Sequence, residues 1–403
     1  MISSKKKIAL VPKNDWSRIG QRLNLGLCCL NTILREQKPS IFCSRTCNRK
    51  NFTVEIAQAK ALQNIADIIK LIEWNEKNHI KCLRISSDLF PHYTDPDTPP
   101  YTMDFAYPLL KEVGDLAKKY GHRLVMHPAQ FNQVGAENPA VLLRTIEDLK
   151  YNADILDAMG IDENGVLIVH GGGTYGNLAV TKDRWIQQFQ VLPDNVKRRL
   201  VIENCERCYS TQDCLQIAEA CQIPLVFDFH HYACWSIVYG KDSQKSIREL
   251  MPAILKTWGQ RRVLMHVSEQ AEGKKIGAHS DYVETLPDDL LWTLTNFDVQ
   301  IDLEIEAKMK EQAILRLYKS YPQIFDFTSP LTSTKKEFKW KPAYVYTTYM
   351  IVKSAIIDCK IPIKFKAPTL PEETSTLPEE IPAEVDKSPN LVKIPLKMKT
   401  KIA

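Results

Sequence analysis

The sequence predicts an α/β fold, a (β/α)8 barrel of the TIM type with a C-terminal extension and a disordered tail. The first observation is a series of short runs rich in Val, Ile and Leu, which is typical of strands buried on both faces. The second is that segments with helical periodicity separate these runs, which predicts parallel strands joined by helices. The eight runs are residues 25–30, 82–85, 124–126, 166–169, 200–202, 225–227, 263–265 and 302–305.

The helical segments carry their own sequence signals. Residues 54–74 have apolar side chains at three- and four-residue steps, which places them on one face of a helix. After the third run, Asn138 is a good N-cap, Pro139 suits the first helical position, and Gly160 suits the position just past the helix end. Eight such strand and helix units predict a closed barrel.

The barrel accounts for only part of the chain. We predict an N-terminal extension over residues 1–22, the barrel domain over 23–330, a C-terminal extension over 331–366 and a disordered tail over 367–403. The tail is rich in Pro, Glu and Lys and contains no aromatic residue. Such a segment buries too little apolar surface to offset the entropy of ordering it.

Composition argues against a disulfide-rich secreted scaffold and against a membrane-spanning protein. The 403 residues are 44% hydrophobic, enough for a large core, and 53 basic against 48 acidic residues give a net charge of +5. Any surface that binds a polyanion such as DNA must therefore be local. Eleven cysteines without the dense spacing of a secreted scaffold favour reduced thiols in an intracellular, non-secreted protein, and no apolar stretch predicts a membrane span. We expect a monomer, and whether it acts in the cytoplasm or the nucleus stays open.

Residues of metal-binding type follow six consecutive runs. Barrel enzymes carry their active sites at the carboxyl ends of the strands, so these positions should converge. Several carboxylates and imidazoles in one pocket are costly without a cation, which predicts a metal site. Mixed nitrogen and oxygen ligands allow Mn²⁺, Zn²⁺ or Fe²⁺ and disfavour a thiolate site. The residues are His127, His170, Glu203, Asp228, His231, His266 and Glu306.

Ten motifs, in order between about residues 23 and 320, resemble the UV damage endonuclease family, in the same barrel superfamily as apurinic endonuclease IV. A match that needs ten motifs in sequence is specific. The motifs are LGLCCLN (25–31), CSRTC (43–47), RISSDLFPH (84–92), MHPAQF (126–131), VHGGG (169–173), IEN (202–204), DFHH (228–231), MHVSEQ (265–270), GAHSDY (277–282) and EAKMKEQ (306–312).

The resemblance implies a DNA repair endonuclease that nicks the backbone 5′ to cyclobutane pyrimidine dimers and 6-4 photoproducts, with abasic sites as a further substrate of some members. It also implies three divalent ions, with Mn²⁺ the usual metal and Zn²⁺ or Mg²⁺ as alternatives. By position, Glu203 bridges the first two ions, and Glu203, His231 and Lys308 are the catalytic candidates. The implied ligands are His127, His170 and Glu203 for one ion, Glu203, Asp228, His266 and Glu306 for a second, and His231 and His279 for the third.

The same resemblance assigns contacts to damaged double-stranded DNA. Gln130 and Phe131 match a pair of side chains that probes the gap left by an unstacked lesion. Leu27, where bacterial relatives carry Tyr, and Asn31 are further lesion-binding candidates. Phosphate contacts are predicted for three cationic residues near the ligands, although each could equally be a solvated or salt-bridged charge. These are Arg84, Lys308 and Lys310.

Two departures from relatives lie close to the predicted site. Leu264 stands where some relatives have Lys, and Asp95 where some have His. Such changes could tune metal affinity or lesion range. Lesion contacts could also differ at Phe131, a position that is often Tyr.

Two alternatives keep the barrel. A metal-dependent sugar isomerase or epimerase would use two ions at the strand ends, and a damaged-DNA binding protein would not cut at all. His231 and His279, with Gln130 and Phe131, favour repair over sugar chemistry. Other patterns are weak. The spacing of Gly171, Gly173 and Gly176 resembles a dinucleotide-binding loop, but no ribose-binding acid follows and we expect no nucleotide cofactor. The pair Cys205 and Cys208 lacks the second pair of a zinc ribbon.

Overall fold

The computed structural model describes residues 16–327. The predicted C-terminal extension and disordered tail, and most of the predicted N-terminal extension, lie outside the described residues.

Eight parallel strands close into a barrel in chain order, and the last strand pairs with the first. This confirms the predicted TIM barrel. The pairing aligns Leu23 with Ile301 and Leu27 with Ile305, so the sheet has no free edge. The strands are β1 (Leu23–Cys28), β2 (Cys82–Ile85), β3 (Arg123–Met126), β4 (Leu167–His170), β5 (Leu200–Glu203), β6 (Leu225–Asp228), β7 (Val263–Val267) and β8 (Ile301–Ile305).

Helices fill every connection between consecutive strands. In the fifth helix, the structure confirms the predicted N-cap. The Asn138 side chain accepts a hydrogen bond from Ala140 N at 2.9 Å, and Pro139 is the first residue of the helix. The helices are α1 (Trp16–Gly20), α2 (Thr32–Glu36), α3 (Val54–Lys77), α4 (Tyr107–Tyr120), α5 (Pro139–Ala158), α6 (Leu178–Phe189), α7 (Asp194–Lys197), α8 (Thr211–Cys221), α9 (Phe229–Tyr239), α10 (Ile247–Trp258), α11 (Asp288–Asn296) and α12 (Glu311–Ser320).

The lower part of the barrel interior is charged. Asp302 of β8 is fully buried and meets Arg123 Nη1 at 2.9 Å and Arg262 Nη2 at 3.0 Å. Two guanidinium groups thus compensate the charge of one carboxylate. A charge that is buried away from water requires such compensation. The interior of this barrel is accordingly built in layers of paired charges as well as apolar side chains.

Two further findings concern the described residues. All ten cysteines in residues 16–327 are free thiols, as the sequence predicts for this part of the chain. Over the same residues no helix combines the length and the apolar character needed to cross a bilayer.

Gly114 of α4 allows a close helix contact that a larger residue would block. A Cβ atom at this position would lie 1.7 Å from the carbonyl oxygen of Met159, just past α5. We expect Gly114→Ala to lower the free energy of unfolding by about 1–3 kcal/mol, because the backbone must move apart. Urea unfolding would measure this loss, with Lys118→Ala on the exposed side of α4 as the control. Equal midpoints for Gly114→Ala and wild type would contradict the close packing.

Candidate metal centre

Strand register brings the predicted ligands to one end of the barrel. His170 at the end of β4 is paired with Glu203 at the end of β5, and Asp228 of β6 is paired with His266 of β7. His127 directly follows β3, and Glu306 directly follows β8. Because parallel strands end at the same edge, residues far apart in sequence meet here.

The first cluster consists of His127, His170 and Glu203, whose candidate ligand atoms all lie within 4.8 Å of one another. Glu203 Oε2 lies 3.1 Å from His127 Nε2 and 3.7 Å from His170 Nε2. Two imidazoles therefore face one oxygen of a carboxylate that is buried in the barrel mouth.

The second cluster consists of Asp228, His266 and Glu306, with ligand atoms again within 4.8 Å of one another. His266 Nδ1 lies 3.8 Å from Glu306 Oε1 and 2.8 Å from Glu203 Oε1. Glu203 thus presents one oxygen to each cluster. This arrangement is compatible with the bridging role, which stays a prediction.

His231 and His279, the predicted ligands of a third ion, lie against different carboxylates. Asp228 caps α9 by accepting a hydrogen bond from the backbone N of His231 at 2.6 Å, and the His231 ring contacts the carbonyl oxygen of Asn204 through Nδ1 at 2.9 Å. His231 then forms a group with Glu203 and Asp228. His279 Nε2 lies 3.8 Å from Glu306 Oε2, and its ring lies 5.6 Å from that of His230. The assignment of a separate third ion to this pair stays a prediction.

The clustered charges shift one another's protonation. Burial would raise the pKa of Glu203, but His266 and His170 outweigh burial and hold this pKa well below its ordinary value. Burial lowers the pKa of His170 to about 4. At His231 and His266 burial also favours the neutral ring, but nearby carboxylates outweigh it. The pKa of His231 rises to about 9, and that of His266 rises well above its ordinary value.

The donor set fits divalent cations. Carboxylate oxygens and imidazole nitrogens are the ligand types that Mn²⁺ and Zn²⁺ accept. Asp228 Oδ2 and His170 Nδ1 are buried and have no hydrogen-bond partner, so these polar atoms are not satisfied within the described protein. Buried polar atoms without partners are costly, and a cation in the cluster would remove the cost at Asp228.

Glu304 is a residue of this region that the sequence analysis missed. It lies in β8, two residues before Glu306, and is fully buried. Its Oε2 atom is 2.9 Å from His266 Nε2 and 3.6 Å from Arg84 Nη1. The spacing of Asp302, Glu304 and Glu306 is the signal that could have found it, since alternate strand residues share a face.

The predicted probing pair occupies an exposed position beside the cluster. Gln130 and Phe131 lie on the loop that follows His127, and the Phe131 side chain is exposed. Lys308 is also exposed, with its ammonium 3.7 Å from Asp281 Oδ1, and Lys310 is half-buried. These positions are compatible with DNA contact, which stays a prediction.

The prediction that Leu27 and Asn31 bind a lesion is wrong, because both residues are fully buried. A Cβ atom on Gly26 would contact Glu304 and Cys82 inside the barrel, so the next residue, Leu27, points outward to the helix layer. Asn31 caps α2, and its side chain accepts from Leu34 N at 2.8 Å. Neither side chain can reach DNA without unpacking the barrel.

Arg84 also differs from its predicted place at an open rim. Its side chain lies inside the barrel, with Nη1 2.5 Å from Glu306 Oε1. This pairing makes Arg84 a buried counter-ion of a candidate ligand, so its predicted contact with a DNA phosphate is wrong in this structure. Of the two departures, Leu264 is buried on β7 two residues before His266. Asp95 pairs with Arg49 and His92 in the loop after β2.

The fold and the site together define an α/β barrel with clustered candidate metal ligands at its carboxyl end. The model of the family described as UV-endonuclease UvdE matches residues 23–340. The UV-damage endonuclease of Schizosaccharomyces pombe is 40% identical over 316 residues, which cover 74% of this chain and 51% of that protein. The putative UV-damage endonuclease of Acanthamoeba polyphaga mimivirus is 36% identical over 310 residues, which cover 74% of this chain and 91% of that protein.

A solved structure agrees with these matches. The crystal structure of SacUVDE superposes with a TM-score of 0.65 at 27% identity, covering 75% of this chain and 99% of that one. The chain belongs to the UV-endonuclease family UvdE, which confirms the resemblance drawn from the ten motifs. It spans about half the length of the Schizosaccharomyces pombe relative.

The pKa shifts predict that metal binding releases protons. His231, with a pKa of about 9, and His266 are charged near neutral pH in the metal-free protein, whereas a ligand imidazole must be neutral. Raising the pH removes this competition, so apparent affinity for Mn²⁺ should rise about tenfold per pH unit for each proton displaced. Calorimetry in buffers of different ionisation enthalpy, between about pH 6.5 and 8.5, measures the release.

The matched variant is His231→Asn, which removes one of the two charged rings. It should release about one proton fewer than wild type at neutral pH. A proton release unchanged by His231→Asn, or an affinity independent of pH, would contradict the assignment of His231 to the centre.

Proposed function

We propose that this chain is a metal-dependent DNA repair endonuclease that nicks the DNA backbone 5′ to UV photoproducts. The observation that carries the proposal is the convergence of His127, His170, Glu203, Asp228, His266 and Glu306 at the mouth of a barrel of this family. The names of the relatives, UV-damage endonucleases, supply the substrate class. Cyclobutane dimers, 6-4 photoproducts and abasic sites are the lesions to test.

The centre is proposed to hold three divalent ions, with Mn²⁺ preferred and Zn²⁺ or Mg²⁺ as alternatives. Glu203 belongs to the cluster with His127 and His170 and also lies 2.8 Å from His266 of the cluster with Asp228 and Glu306, and His231 and His279 add nitrogen donors beside them. When bound, divalent ions activate water and polarise a phosphodiester. Metal analysis of the purified protein should find about three ions per chain, and one or none would contradict this stoichiometry.

The chain's own residues divide the remaining work. Glu203 lies between the imidazoles of the two clusters, and the His231 ring lies 3.7 Å from the same carboxylate, with its Nδ1 atom against the carbonyl oxygen of Asn204. Lys308, exposed at the mouth, offers a cation to a DNA phosphate. Phe131 offers an exposed ring on which a base of a distorted duplex can stack. The proposed partner is damaged double-stranded DNA, bound by a monomer without a nucleotide cofactor.

Glu203→Gln tests the nuclease directly. The change keeps the shape of the side chain and removes the charge shared by both clusters, so nicking of a UV-irradiated duplex with Mn²⁺ should fall by at least about 100-fold. A denaturing gel measures the nicks. Glu272→Gln, on an exposed loop after β7, is the control and should cut normally. Equal nicking by wild type and Glu203→Gln would contradict the shared role of Glu203. Tight lesion binding without nicks in any divalent metal would indicate a binding protein instead.

Phe131→Ala tests the probing role. Loss of a stacking ring costs about 1–3 kcal/mol per base, so affinity for a duplex with one photoproduct should fall about 5- to 150-fold. Phe131→Tyr keeps the ring and should bind like wild type. Fluorescence anisotropy on damaged and undamaged duplexes measures both, and Leu143→Ala, at an equally exposed apolar position on α5, is the control. Unchanged affinity for damaged DNA in Phe131→Ala would remove Phe131 from the lesion contact.

A further inference from the structure

Glu304 is a buried carboxylate directly below the candidate metal centre. Asp302, Glu304 and Glu306 share the inward face of β8, and Glu306 alone of the three is in a ligand cluster of the described residues. Glu304 makes its closest charged contacts with His266 Nε2, at 2.9 Å, and Arg84 Nη1, at 3.6 Å. The His266 contact is an ion pair rather than an aligned hydrogen bond in this structure. Burying a carboxylate this deeply is energetically costly, so its contacts must compensate that cost.

The two nitrogens of His266 face opposite directions. Nδ1 points to the ligand side, 2.8 Å from Glu203 Oε1 and 3.8 Å from Glu306 Oε1. Nε2 points down to Glu304. A metal-binding imidazole offers a lone pair from one nitrogen and carries its hydrogen on the other, which requires an acceptor. In this geometry the acceptor within reach of Nε2 is the Glu304 carboxylate.

Arg84 supplies the counter-charge. Its Nη1 atom lies 2.5 Å from Glu306 Oε1 and 3.6 Å from Glu304 Oε2, so one guanidinium balances a candidate ligand and the carboxylate beneath it. Without such a cation, two carboxylates on neighbouring layers would repel each other in a medium of low dielectric. Arg84 therefore places a cation between Glu304 and Glu306.

We propose that Glu304 is a positioning residue of the metal centre. It holds the N–H of His266 on Nε2 and fixes the ring so that the Nδ1 lone pair faces the cluster of Asp228 and Glu306. The inference rests on the metal centre proposed above. It concerns metal affinity through His266 and requires no contact of Glu304 with DNA.

A purely structural role, as a partner of Arg84, is the competing explanation, and the barrel contains a matched control. Asp302 lies on the same face of β8, is equally buried and also pairs with arginines, Arg123 and Arg262. It contacts no candidate ligand among its described ion pairs. Loss of charge at Asp302 should therefore reduce stability without changing metal affinity.

The experiment compares Mn²⁺ binding by wild type, Glu304→Gln and Asp302→Asn, using competition with a chelator on protein shown to be folded by circular dichroism. Glu304→Gln should bind Mn²⁺ about 10- to 100-fold more weakly, the usual effect of losing a partner behind a ligand. Asp302→Asn should bind within about twofold of wild type. Wild-type affinity in Glu304→Gln overturns the proposal.

A double-mutant cycle separates positioning from a long-range charge effect. In a His266→Ala background, Glu304→Gln should change Mn²⁺ affinity by no more than about twofold, because the ring that it positions is gone. An equal loss in both backgrounds overturns the proposal. If wild type binds no divalent ion, the proposed function fails as well; if wild type binds and Glu304→Gln is unchanged, only this inference fails.

A second measurement needs no variant that must fold. Wild-type protein with ¹⁵N-labelled histidine and bound Zn²⁺, which is diamagnetic, reports the tautomer of each ring by NMR. His266 should carry its hydrogen on Nε2, and a signal assigned to His266 with the hydrogen on Nδ1 overturns the proposal.

Discussion

The buried carboxylate of Glu203 is the contact on which the arrangement of the site depends. Its two oxygens face histidines from three other strands, His127 and His170 on one side and His266 on the other. A buried carboxylate is costly unless charged partners or hydrogen-bond donors compensate it. The closed parallel barrel provides this environment, because strand ends separated by more than a hundred residues in sequence meet at one edge.

Buried carboxylates are also paired with cations deeper in the barrel interior, along β8. Three carboxylates in β8 and directly after it face cations: Glu306 and Glu304 share Arg84, and Asp302 faces Arg123 and Arg262. Apolar layers would pack such a barrel at lower electrostatic cost. Only the upper of these charges touch the candidate ligands, Arg84 at Glu306 and Glu304 at His266, so orientation of ligands is a reason for charge at that level and not at Asp302.

The sequence predicted the barrel and the ligand cluster because both follow from residue type at strand ends, where the position in the fold is set by the order of the strands. Prediction from the sequence failed where a shift of one residue along a strand decides whether a side chain faces the barrel interior or the helices. Leu27 and Gly26 are neighbours, yet one faces the helices and the other faces the interior. Arg84 and Glu304 were misplaced or missed for the same reason: a charged residue within an apolar run shows its role only when its face is known.

The loop after β3 connects the buried centre with the exposed surface. It begins at His127, a candidate ligand, and four residues later carries the exposed ring of Phe131. Directly after Phe131 the chain is fixed again: Asn132 Nδ2 donates to Asp148 Oδ2 at 2.7 Å, and Gln133 N donates to Thr145 Oγ1 at 3.0 Å, both on α5. The backbone on either side of Phe131 is thus anchored, at His127 by the contact with Glu203 and at Asn132 by the bond to Asp148, while the ring itself stays exposed. The candidate ligand and the exposed aromatic ring therefore belong to one anchored backbone segment, which fixes where that ring emerges beside the cluster.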